Sequence, residues 1–134
     1  MVLPFVRDLF ADVEKLPDFL RVASHLREGT GRIRVSGLTP TAKALVLTLW
    51  QKAAGRPLIV VVADNRAMED MLPVLQSFAE LTGGVNPESI VGLPTRDVLP
   101  FQNLSPHPEI QEERAVALWK IATGAVSLVV KRFV

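Results

Sequence analysis

The sequence predicts an α/β domain built on a mostly parallel sheet. Leu58 to Ala63 is an unbroken apolar run, the pattern of a central strand buried on both faces. Other short apolar runs alternate with longer stretches of helical period, the order that parallel crossovers require. The chain has 134 residues, 49% of them hydrophobic and 22% charged, which supports one domain with a real core and excludes intrinsic disorder.

Two short helices open the chain from Pro4. Leu9, Phe10 and Val13 form the apolar stripe of the first. Pro17 suits the first turn of the second, in which Phe19, Leu20, Val22, Ala23 and Leu26 face inward. Gly29 and Gly31 end it. Ile33 to Ser36 is a strand candidate. Thr41 to Ala54 is a helix with Leu45, Leu49 and Ala53 at helical spacing, stopped by Gly55 and Pro57. After the Leu58 to Ala63 strand, Asp64 or Asn65 caps a helix carrying Met68, Leu72, Leu75, Phe78 and Ala79. Pro73 lies inside it and predicts a kink or a restart. Ser89 to Leu93 is the next strand. A polar, proline-rich stretch runs from Pro94 to Pro108. A helix follows over Glu109 to Ala122, with Ile110, Ala117, Leu118 and Ile121 on one face, and Val126 to Val130 is the last strand.

Composition removes several classes of function. There is no cysteine, so disulfide scaffolds, thiolate metal sites and cysteine nucleophiles are excluded. Two histidines, His25 and His107, do not make a zinc site. The net charge of +1 carries no global signal for nucleic acid. No apolar run approaches the roughly 20 residues of a membrane span. The first residues lack a basic region ahead of an apolar stretch, so no signal peptide is expected.

Gly37-Leu38-Thr39-Pro40-Thr41-Ala42-Lys43-Ala44 lies between a strand candidate and a helix, where a phosphate-binding loop would lie. Against G-x-x-x-x-G-K-[ST], Gly37 and Lys43 match, but Ala42 replaces the second glycine and Ala44 the hydroxyl residue. Pro40 removes a backbone N–H, the Ala42 Cβ restricts the backbone, and Ala44 cannot ligate magnesium. The expectation is a strand-to-helix turn that binds no nucleotide. If any residue meets phosphate it is Lys43, with Gly37 and Thr39 beside it. No residue is assigned to catalysis or to a metal. Asp64 reads as a helix N-cap. His107 reads as exposed or as a cap of the following helix. Arg114, four residues before Leu118, faces partly inward and needs an acceptor such as a carbonyl of the preceding loop.

Two motifs resemble one family. Asp97, Leu99, Pro100 and Phe101 form the first, and Ser105, Pro106, His107 and Ile110, then Arg114, the second. Together they look like the N-terminal region of the bacterial transcription-repair coupling factors, with the resemblance running from about Ile33 to Val130. It implies a UvrB-like, three-layer RecA-like subdomain with a degenerate phosphate loop over residues 31–134, preceded by helices over 1–30. In that family the module recruits UvrA. ATP hydrolysis, DNA translocation and RNA polymerase binding belong to later domains. The implied role is a cytoplasmic, non-catalytic scaffold without a cofactor of its own. The UvrA-contacting subdomain would begin near Val134, so a truncated piece is expected. A small nucleotide-binding ATPase and a stand-alone α/β interaction domain are the competing readings. The apolar content predicts an exposed apolar patch and self-association.

Overall fold

The computed structural model describes residues 4–96, 98 and 104–133. Five α-helices and three strands alternate as the periodicity demands: α1 (Pro4–Lys15), α2 (Pro17–Glu28), α3 (Pro40–Ala54), β1 (Leu58–Val62), α4 (Asn65–Thr82), β2 (Ile90–Leu93), α5 (Pro108–Ala122) and β3 (Leu128–Arg132). The helix ends follow local chemistry. Pro17, Pro40 and Pro108 open helices where the missing N–H costs nothing. Gly29, Gly55 and Gly83 close them in the left-handed region. Pro73 does not restart α4, which runs unbroken for 18 residues. One backbone bond is lost on an exposed side, while Met68, Leu75 and Ala79 hold the other side in the core.

The sheet is wholly parallel in the order β1-β3-β2. Leu58 aligns with Leu128 and Val62 with Arg132 on one side of β3, and Ile90 aligns with Leu128 on the other. Helix α4 covers one face, where Leu75, Leu128 and Val130 are fully buried with Ile90. Helix α5 covers part of the opposite face through Ala117, which packs with Val91, Val126 and Val129. These are the three layers of the predicted fold. Burial of each large aliphatic side chain contributes about 1.5–3 kcal/mol.

Helix α3 serves two cores. Ala44 and Leu47 join the α4 side of the sheet, and Leu49 and Trp50 join Phe19, Val22 and Ala23 of α2. The Phe19 and Trp50 rings stack with centroids 6.0 Å apart. The C-terminal ends of α2 and α3 are cross-tied, since Arg27 Nε donates to Ala53 O at 3.0 Å and Arg56 to Leu26 O at 3.3 Å. Cations there meet carbonyls that a helix leaves unpaired.

Three expectations need correction. Ile33 to Ser36 is not a strand: a strand exists only when its backbone is paired, and no backbone group of residues 30–38 forms a hydrogen bond among the described residues. The Leu58 run is an edge strand rather than a central one, and β3 holds the centre. The inward faces of α2 and α5 are narrower than expected, because Leu20, Leu118 and Ile121 are exposed. Their neighbours Val22, Ala23 and Ala117 already fill the contact.

Candidate functional site

The turn into α3 is the position of the phosphate-loop-like segment, and Thr39 caps it. Gly37 takes φ 82°, a left-handed turn that a Cβ would strain although nothing crowds the space. Thr39 is the N-cap of α3, and its Oγ1 accepts from Ala42 N at 3.3 Å. Lys43 N donates to Thr39 O at 2.8 Å as the first turn forms. Pro40 has no N–H to offer. The amides of Gly37, Leu38, Thr39 and Thr41 are without a hydrogen bond among the described residues. A phosphate cradle needs several convergent amides. Ala44 is 1% exposed and packs into the core beside Met68 and Leu75, so even a hydroxyl at this position would face side chains of the core. The Lys43 side chain is exposed and makes no hydrogen bond or ion pair among the described residues.

Asp64 is the N-cap of α4, its Oδ1 accepting from Ala67 N at 2.7 Å. Among the described residues no group of histidines, aspartates and glutamates is placed to hold a metal ion.

The second constellation surrounds the start of α5. Asp97, Leu99, Pro100 and Phe101 lie outside the described residues. The rest of the motif has clear places. Arg114 is half-buried, and its guanidinium donates to Pro94 O, the carbonyl just after β2. A charged group so placed needs that acceptor. Gln111 Nε2 donates to Pro106 O at 2.7 Å, a tether absent from the motif reading because nothing in the spacing marks a glutamine that reaches back five residues. The two bonds pin both ends of the proline-rich loop to one helix. Ser105 is exposed. His107 occupies the N-cap position without a side-chain cap bond, its Nδ1 lying 4.0 Å from Glu109 Oε2. Ile110 is half-buried and lines a groove of about 780 Å³ with Gly92, Pro94 and Ala117. The structure does not bring Lys43 and this loop into one pocket: the groove at Lys43 is lined by α3, β1 and α4.

Several large apolar side chains are exposed, Val116, Leu118 and Trp119 on α5 and Ile59 and Val61 on β1 among them.

Fold and site together define a small three-layer α/β domain whose turn into α3 is capped by Thr39. Over 106 residues the chain is 31% identical to the transcription-repair-coupling factor of Myxococcus xanthus. That stretch is 79% of this chain and 9% of the relative, so the chain spans under a tenth of the protein it resembles. No family model matches the sequence. No solved structure matches either.

Proposed function

We propose that the chain is a non-catalytic scaffold of the UvrB-like, degenerate RecA-like kind, part of a module that recruits UvrA in transcription-coupled nucleotide-excision repair. In this reading residues 1–30 are a helical preface and residues 31–134 the RecA-like subdomain. ATP turnover, DNA translocation and RNA polymerase binding belong to other domains of such a protein, and the place of work is the cytoplasm. No helix among the described residues is long and apolar enough to cross a membrane. The observation that carries the reading is the turn at Thr39, Pro40 and Ala42: capping takes the Ala42 amide, the first helical turn takes that of Lys43, Pro40 has none, and the second glycine and hydroxyl residue of a phosphate loop are both alanine. The similarity to a transcription-repair-coupling factor supplies the setting.

The rival reading, a small nucleotide-binding ATPase, rests on the unpaired Lys43 ammonium and the unbonded amides of Gly37, Leu38, Thr39 and Thr41. Calorimetric titration with ATP and magnesium separates the two. The scaffold reading expects no saturable heat through the micromolar range. Saturable binding that disappears in Lys43→Ala would overturn it.

A further inference from the structure

The groove beside β2 has a floor and a rim of opposite character. It lies between α4 and α5 and holds about 780 Å³. Met68, Leu72, Gly92, Ile110, Val116 and Ala117 make its floor apolar. Glu69 of α4 stands on one wall and Glu109, Glu112 and Glu113 of α5 on the other, all four exposed. No lysine, arginine or histidine lines the groove among the described residues. Over the whole chain bases outnumber acids, 15 to 14, so the rim is a local excess and not a reflection of composition.

Folding accounts for little of this rim. Glu109 lies in the first turn of α5, where a carboxylate meets the positive end of the helix. Glu112 and Glu113 lie beyond that turn, and Glu69 lies beyond the first turn of α4. None of these three makes an ion pair among the described residues. Arg114, the next residue along, is already engaged by Pro94 O. Asn65 lines the groove as well, and its Oδ1 is buried without a hydrogen bond among the described residues. A buried acceptor without a donor is unfavourable, and a partner that brings donors relieves it.

Charge and shape together narrow the occupant. The carboxylates are not grouped to hold a single metal ion among the described residues. Nucleic acid and anionic lipid carry the wrong sign for this rim. A polyamine would meet the rim and leave the apolar floor wet. A helix with an apolar stripe between lysines or arginines meets both, because cations on either side of the stripe face the two walls. Ile110 to Ala117 covers about 10 Å of α5, two turns of such a helix.

We propose that this groove docks a basic amphipathic helix of a partner polypeptide. Its apolar stripe rests on Leu72, Ile110 and Val116, and its cations face Glu69, Glu112 and Glu113.

The test titrates the whole chain with a labelled helical peptide that carries leucine at i, i+3, i+4 and i+7 and lysine on both flanks. The expected result is saturable micromolar binding that weakens as salt rises. The variant E69Q/E112Q/E113Q should bind about tenfold more weakly. The variant E28Q/E80Q/E88Q, with the same change of net charge outside the groove, should bind like the parent. A peptide of the same composition with its leucines dispersed around the helix should bind at least about tenfold more weakly, and it decides the matter if the first variant fails to fold. The proposal is overturned by no saturable binding up to millimolar peptide, by equal losses in the two variants, or by equal binding of the two peptides. Spermine that displaces the peptide at equal concentration would overturn it in favour of a small cation. A dimer in sedimentation that E69Q/E112Q/E113Q abolishes would overturn it in favour of a second copy of this chain.

Discussion

The two edges of the sheet are finished to different degrees. At the β2 edge the chain satisfies itself: Ile90 N–H donates to Pro87 O, and Ile90 C=O accepts from Gln76 Nε2 at 3.4 Å. Ile90 and Val91 are buried, and Ser89 Oγ bonds Ser127 Oγ at 2.8 Å to lock the strand's entry. A Cβ on Gly92 would come within 3.3 Å of Met68 Sδ, so α4 lies directly against this strand. At the β1 edge nothing equivalent exists among the described residues, and Ile59 and Val61 stand open. The difference teaches that burial along a strand is set by neighbours rather than by its own apolarity. β1 is the more aliphatic of the two and the less covered.

The strongest way to break the comparison is to remove what both edges share. Leu128 is fully buried on the central strand and aligned with Leu58 and Ile90. Leu128→Ala should cost about 2–5 kcal/mol in denaturant unfolding, with both edges lost in one transition. A paired substitution sharpens it. Gly92→Val pushes against Met68 and Leu72 at the finished edge and should cost about 1–3 kcal/mol. Ile59→Thr at the open edge should change stability by less than about 0.5 kcal/mol. Equal costs for the two would mean that the edges are equally packed.

The same contrast marks how far the sequence could be read. Helix boundaries were legible because their signals are local: Pro17, Thr39 with Pro40, Asp64, Gly29 and Gly55 act within a turn of where they stand. The inward turn of Arg114 and its need for a carbonyl were legible for the same reason. That the carbonyl belongs to Pro94, twenty residues earlier, depends on β2 and α5 lying side by side. Strand order is less accessible still. An apolar run such as Leu58 to Val62 announces that it wants neighbours and not how many the chain provides. Ile33 to Ser36 has a strand's composition but no partner to pair with. Gln76 and Gln111, which finish the β2 edge and the proline-rich loop, have ordinary helical surroundings and gave no signal.

Amide hydrogen exchange on the free chain, read residue by residue, tests the unfinished edge most directly. The account predicts that Ile59 and Val61 exchange about a hundredfold or more faster than Val60 and Ile90, whose N–H groups are bonded. Protection of Ile59 and Val61 equal to that of Val60 would contradict it.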